Sequence, residues 1–396
     1  MGKVRVGADS LDLRLLDGKR VGLITNTSSF LSDPARLSRL VSVSKSLTLL
    51  APEHGVSVDK GAGEKVEDQT FGGIKVISLY GGSTDPSAAL EDLDVVLYDL
   101  QDVGVRYYTY ISTLKRTMRV ANAQGSEYYV LDRPDPLGGG VDGPILRGAF
   151  RSFVGEWEIP MRYGMTPGEL ANYAKVEGLV SNVVKMAGWR RAMWFDETGL
   201  PWFPPSPAIK DLETALLYSG MGLLEGTNLS EGRGTPEPFK QFGAPWLEGA
   251  DEKAALDGLR RWEAQWSWPR GEGGGHALAW KKGLTCAFRL YPVKFIPSSG
   301  KYAGHSCSGF RVAVSERLGS AFLLALSVLS WAADLPEFRF LRSGEGWKID
   351  FLAGTDDLRK AIADNDPRAY LEKWDAELSS FEETVAPYRI YPDRNR

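Results

Sequence analysis

VVLYDLQDVGVRYYTYISTLKRTMRVANAQGSEYYVLDR, residues 95–133, is the stretch that decides the fold. Val95–Leu100 is a short apolar run that reads as a buried strand. The segment near Ser112–Gln124 reads as a helix, and Tyr128–Leu131 as a second strand. Strand, helix and strand in succession imply a βαβ unit with parallel strands. The same alternation runs through the sequence before it. Arg20–Thr25 (RVGLIT) is a strand, Pro34–Lys45 a helix, and Leu47–Ala51 and Ile74–Leu79 further strands. Beyond it, Met165–Glu177 opens as a helix should. Thr166 is the N-cap, Pro167 the first helical residue, and Glu169 holds the capping-box position. Another strand is expected near Val183–Ala187. The first half is therefore α/β, a mostly parallel sheet with helices on both faces.

Gly199–Ile209 (GLPWFPPSPAI) is the strongest punctuation in the chain, because its prolines neither continue a helix nor sit in a central strand. We place the domain boundary there, giving domains 1–205 and 206–396. The second domain reads as α+β. Its helices are expected near Asp211–Tyr218, Glu252–Trp266, Arg317–Ala333 and Pro367–Thr384, and its strands near Ala287–Tyr291 and Gly309–Val314. At roughly 150 residues per domain, 396 residues suggest two or three domains.

Composition narrows the function. Forty-seven basic and 51 acidic side chains leave a net charge of −4, which argues against a protein that binds nucleic acid by neutralising phosphates. It argues equally against a basic membrane-surface protein. No run of about 18 apolar residues occurs, so membrane insertion is not expected. The opening MGKVRVGADSLDLRLLDGKRVG has no apolar core of a signal peptide, so the chain as given reads as cytoplasmic. Cys286 and Cys307 lie far apart and read as small buried apolar residues, not as a disulfide framework. His54, His276 and His305 are the only histidines, and no HExxH occurs, so no metal site and no cofactor are expected. Gly138, Gly140 and Gly143 fit GxGxxG in form, but Pro136 and Pro144 flank them where a dinucleotide loop needs a strand and a helix. No phosphate-binding GxxxxGK[ST] loop and no GxSxG elbow is present.

The chemistry gathers at strand ends. In an open parallel sheet, ligands bind beyond the carboxyl ends of the strands. Pro52-Glu53-His54-Gly55 follows the second strand. The run from Gln101 and Asp102 through Arg106 and Tyr108 follows Val95–Leu100, and Asp132-Arg133-Pro134-Asp135 follows Tyr128–Leu131. Three polar clusters at equivalent ends suggest one shared cleft. The second half adds Leu224 to Thr235, dense in glycine and hydrogen-bonding groups, with Glu225, Asn228, Glu231 and Arg233 among them. Glycines there let a backbone approach a ligand closely.

Taken together, KRVGLITNTSSF, PEHG, AGEKVED, DLQDVGVRYYTYISTL, VLDRPDPLGG, PMRYGMTPGELA, MWFDETGLPWFPPSP and EGTNLSEGRGTPEPFKQFGAPW resemble, in this order, the bacterial exo-acting β-N-acetylmuramidases. These glycoside hydrolases remove terminal N-acetylmuramic acid from peptidoglycan fragments. The resemblance spans nearly the whole chain. It implies a Rossmann-like domain followed by a smaller C-terminal domain, with the active site between them. The chain departs from the family pattern at Ala51, where Gly is common, and at Asp135 and Ala208, where Asn is common.

The resemblance points to Glu53 as the central catalytic residue. The residues agree, since Glu53 stands at a strand end between Pro52 and Gly55. Glycoside cleavage needs an acid for the leaving oxygen and usually a second carboxylate. Asp102, Glu64 and Asp132 are the candidates for that second group, in this order. His54 either tunes the proton on Glu53, binds a sugar hydroxyl or braces the loop. Asn26, Glu64, Arg106, Tyr108, Asp132, Arg133, Glu225, Asn228, Glu231 and Arg233 are the candidate sugar-binding residues. Arg106, Arg133 and Arg233 are the cations able to read a lactyl carboxylate, although Arg133 is also placed to pair with Asp132 or Asp135. Two other readings remain open: an inactive amino-sugar-binding protein on the same fold, and a metal-dependent hydrolase using His54 and Asp102. The expected partner is a muramic-acid-containing saccharide.

Overall fold

The computed structural model describes residues 3–80, 85–249, 251–266, 288–317, 319–365 and 367–393. Its main sheet has seven strands: β1 (Arg20–Thr25), β2 (Ser46–Ala51), β3 (Gln69–Phe71), β4 (Ile74–Ser78), β5 (Val95–Asp99), β6 (Glu127–Leu131) and β7 (Asn182–Val184). They lie in the order β3-β4-β2-β1-β5-β6-β7. All neighbours are parallel except the β3–β4 pair at one edge.

The order explains where a site can form. From β1 the chain builds outward through β2 to β4, then returns to lay β5 on the other side of β1. The loops leaving the carboxyl ends of β1 and β5 therefore run in opposite directions and open a crevice at that switch point. All five residues of β5 are buried. A strand covered on both faces reads as a continuous apolar run rather than an alternating one. Val21, Leu23, Leu49, Val95 and Leu97 of these strands join Leu37 and Leu40 of the helix Ala35–Val43 in one core.

The helix Tyr110–Gln124 carries the chain from β5 to β6 and ends at Gly125, whose φ of 79° allows the left-handed cap. At the start of Pro167–Tyr173 the expected capping box is formed. The Thr166 hydroxyl accepts from Glu169 N at 3.2 Å, and Glu169 Oε2 accepts from Thr166 N at 3.1 Å.

The chain divides into two compact units, each discontinuous. One comprises Met1–Gly140, Tyr163–Leu212 and Val385–Arg396; the other comprises Val141–Arg162 and Glu213–Thr384. The sequence reading drew two continuous stretches instead. Residues 141–162 are short on regular structure and give no periodic signal; they close on themselves through paired backbone bonds between Asp142 and Arg162 (2.9 and 2.8 Å).

The second unit holds an antiparallel sheet of β8 (Gln241–Ala244), β9 (Phe288–Phe295) and β10 (Cys307–Val314), with β10 in the middle. Of the expected strand Ala287–Tyr291, Ala287 lies outside the described residues and the rest runs on through Pro292 to Phe295. It can do so because β9 is an edge strand, where a missing N–H breaks no ladder. The helix expected from Arg317 begins only at Ala321, after Ser320 caps it by accepting from Leu323 N at 3.1 Å. Its sequence AFLLALSVLSWAA is buried nearly all round. Strand β8 and the helices Lys348–Ala353 and Asp357–Asp364 had no counterpart in the sequence reading. Each is short, and β8 (QFGA) carries a central glycine.

Candidate active site

The three clusters singled out from sequence follow β2, β5 and β6, and because these strands are parallel all three emerge at one edge of the sheet. Glu53 lies in the turn after β2 and is 6% exposed. Its Oε1 accepts from Gly63 N at 2.9 Å and its Oε2 from the Thr109 hydroxyl at 2.6 Å. Three segments thus meet at one carboxyl: the turn itself, the returning loop and the start of Tyr110–Gln124. Tyr80, half-buried, is also within hydrogen-bonding reach of Glu53. Burial, reinforced by the Glu53 charge, pushes the Tyr80 phenol up to about 12.

His54 adopts a φ of 73° beside Gly55 at 76°, so the turn reverses through two left-handed residues. A non-glycine residue in that region is strained, and such strain gathers at functional sites. His54 Nδ1 lies 2.9 Å from Lys60 O, and Lys60 N donates back to His54 O at 3.4 Å. Its ring stacks on Tyr108 with centroids 6.2 Å apart. The histidine therefore braces the loop that carries Glu53.

At the switch point, Asn26 follows β1 and is fully buried. Its Nδ2 donates to Tyr110 Oη at 2.7 Å, and its Oδ1 accepts from the Ser28 hydroxyl at 2.6 Å. Tyr108 and Tyr110 both donate to Pro205 O, at 2.8 and 2.7 Å. The proline-rich segment is thereby pinned over the crevice by two phenols.

Asp102 is sealed in. Its Oδ1 accepts from Tyr163 Oη at 2.5 Å and from Gly104 N at 2.8 Å, whereas Oδ2 is buried without a hydrogen bond. Burial pushes this carboxyl up to about 7, against the pull of Tyr163 and the backbone donors. Arg106 is also fully buried, and burial brings its guanidinium down to about 10. Glu64 is exposed, next to the Gly63 whose N–H holds Glu53.

Asp132 and Arg133 belong to the scaffold. Asp132 takes Gly168 N and Arg133 N on Oδ1 (2.8 and 3.0 Å), and the Thr166 and Tyr391 hydroxyls on Oδ2 (2.7 and 2.6 Å). Arg133 does not pair with Asp132 or Asp135. Its Nε donates to Asp99 Oδ1 at 2.5 Å and its Nη2 to Ser29 O at 2.5 Å. Asp99 ends the neighbouring strand β5 and also holds Arg36 at 3.2 Å.

In the second unit, Arg233 donates from Nε and Nη2 to Glu225 Oε1 at 3.0 and 2.8 Å, and its guanidinium lies 4.8 Å from the centre of the Phe239 ring. Burial works against the Glu225 charge, yet Arg233 and Lys348 hold its carboxyl below the usual range. Lys301 donates to Glu231 Oε2 at 2.9 Å and to Leu224 O and Leu229 O at 2.8 Å. Asn228 clasps the 337–339 turn, donating to Glu337 O and accepting from Arg339 N, both at 2.8 Å.

The structure therefore brings Glu53, His54 and Tyr108 together, with Asn26 reaching the group through Tyr110. Thr109, Gly63, Tyr80 and Tyr163 were not among the candidates. Their bonds cross long sequence separations, and no local spacing announces them. Among the described residues, no group of three or more His, Cys, Asp or Glu is placed to hold a metal ion. Cys307 is buried, and burial pushes its thiol up to about 11. Cys286 and His276 lie outside the described residues.

The doubly wound sheet with a polar, carboxylate-bearing edge defines the class, and the sequence comparisons agree: the chain belongs to the exo-β-N-acetylmuramidase NamZ family of glycoside hydrolases. The N-terminal profile of that family matches residues 21–213 and the C-terminal profile residues 216–391. Among individual relatives, the chain is 37% identical to the peptidoglycan β-N-acetylmuramidase NamZ of Bacillus subtilis, over 98% of this chain and 92% of that protein. It also resembles the crystal structure of a DUF1343 family protein from Bacteroides fragilis, with a TM-score of 0.80 and 29% identity over 98% of this chain and 99% of that one. A second DUF1343 structure from the same organism, 24% identical with a TM-score of 0.73 over 99% and 100% of the two chains, shares the fold.

Proposed function

We propose that this protein releases β-linked N-acetylmuramic acid from the non-reducing ends of peptidoglycan fragments, with Glu53 as the acid that protonates the departing oxygen. The observation that carries this reading is the Glu53 carboxyl itself, held by donors from two other segments at the edge of the sheet where ligands bind. Hydrolysis breaks the bond between C1 and the glycosidic oxygen. The proton goes to the leaving sugar, and water supplies the new hydroxyl on C1.

A second carboxylate has to touch water or sugar to act directly. The burial of Asp102 and the four donors on Asp132 count against both of them. The exposure of Glu64, one residue from the backbone donor to Glu53, favours it for that role. His54 and Tyr108 are read as a stacked wall beside the acid. Among the described residues no helix is long and apolar enough to cross a membrane. The test is incubation with the two disaccharides of N-acetylmuramic acid and N-acetylglucosamine, one in each order. Release of muramic acid only from its non-reducing position is expected. Cleavage of the other isomer alone, or of neither, overturns the reading.

A further inference from the structure

Thr109 stands at the N-cap of Tyr110–Gln124, where a threonine ordinarily accepts a hydrogen bond from the helix's own first turn. Here it makes no such bond. Its backbone is helical (φ −71°, ψ −10°) rather than extended, which turns the hydroxyl away from the position that capping needs. The buried hydroxyl instead donates to Glu53 Oε2 at 2.6 Å, across 56 residues of sequence. The other oxygen is held by Gly63 N at 2.9 Å, a donor fixed in the backbone.

We propose that Thr109 is a positioning residue for the Glu53 carboxyl, its hydroxyl and the Gly63 N–H together fixing the plane in which that carboxyl meets substrate. The inference rests on the reading of Glu53 given above. Donors on two different oxygens define an orientation; without the Thr109 hydroxyl, the Gly63 N–H and the half-buried Tyr80 phenol hold the carboxyl less firmly about its last torsion, which is broad for glutamate. A β-branched side chain suits the task, because its first torsion is stiff and aims the hydroxyl. Misplacing a reacting group by a fraction of an ångström slows the chemical step more than it weakens binding.

The experiment compares Thr109→Val, Thr109→Ser and Glu53→Gln in the full chain, with a chromogenic aryl β-N-acetylmuramide as substrate. Valine keeps the shape and removes the hydroxyl. We expect kcat to fall about tenfold to a hundredfold, the cost of a misplaced reacting group, with KM held within about threefold. Serine restores the hydroxyl and is expected to recover most of kcat. If valine fails to fold, Thr109→Ala replaces it against serine in the same comparison. Wild-type kcat in the hydroxyl-free variant, with Glu53→Gln inactive, overturns the role of Thr109 and leaves Glu53 standing. Serine as slow as valine overturns it as well, because the need is then for the methyl group. Near-normal turnover in Glu53→Gln sinks the reading of Glu53 and this inference with it.

Discussion

Two turns in this protein look alike in sequence and differ in what they leave available. Pro52-Glu53-His54-Gly55 and Asp132-Arg133-Pro134-Asp135 each follow a parallel strand, and each sets a carboxylate beside a basic residue and a proline. The Asp132 carboxyl has four donors, two on each oxygen, so its lone pairs are spent on the scaffold. The Glu53 carboxyl accepts one bond on each oxygen, from Gly63 and Thr109, with Tyr80 also in reach, and three donors against four lone-pair sites leave acceptor capacity. Their basic neighbours also have different partners. Arg133 is spread between Asp99 and Ser29 O, while His54 uses Nδ1 on a backbone carbonyl. A strand-end carboxylate is a better candidate for chemistry when its neighbours have not already used it.

The sharpest way to break this contrast is Asp132→Ala. Removing the carboxyl orphans two hydroxyls and two backbone N–H groups in a buried place, and unsatisfied donors cost about 1–3 kcal/mol each. We expect a loss of about 4 kcal/mol in urea unfolding, with turnover per folded molecule within a few-fold of wild type. Collapse of turnover at unchanged stability would move Asp132 from scaffold to chemistry. Glu53→Gln should do the converse: kcat falls at least about a hundredfold while the melting temperature stays near wild type.

Asp102 tests a third strand-end carboxyl, between the two in character. Its folded value of about 7 lies above the unfolded carboxylate range, so the native state holds that proton more tightly than the unfolded chain does. Its contribution to stability is therefore greatest below about pH 4 and is lost as pH rises towards 7. Between pH 5 and pH 8 the wild type should lose on the order of 2 kcal/mol more than Asp102→Asn, measured by urea midpoints at the two pH values. Parallel losses would mean that the group does not titrate there. The smallest effect is expected at Arg133. Arg133→Lys should leave the ratio of muramide to glucosaminide hydrolysis within about twofold, because the guanidinium is committed to Asp99 and Ser29. A tenfold fall in that ratio would return Arg133 to the set of lactyl readers.

The centre of the sheet was legible because β1 and β5 are buried on both faces. RVGLIT and VVLYDL announce themselves as apolar runs, and the Thr166 capping box is written in adjacent residues. Glu53 was legible through PEHG, a local motif. What sequence could not convey is lateral. The partner of Arg133 is Asp99, one strand over, and the partner of Glu53 is Thr109, from a different segment. Such pairs are set by strand order, which no local window carries. The second unit was harder where its elements are short, as in β8, Lys348–Ala353 and Asp357–Asp364, and where its sheet tolerates Pro292 at an edge.

The Tyr391 phenol that donates to Asp132 belongs to a segment that rejoins the first unit after the second has been laid down. Chain growth on the ribosome is vectorial, so residues 132 and 391 enter the exit tunnel far apart in time. The sheet strands can pair early, while the Asp132 carboxyl and the capping-box Glu169, which takes Ile390 N at 2.8 Å, wait for the tail. The first unit is thus begun before the second and finished after it. A nascent chain halted before residue 390 lacks the Ile390 donor to Glu169 and the Tyr391 donor to Asp132, so the oldest part of the fold keeps two carboxylates short of partners until the second unit has been made.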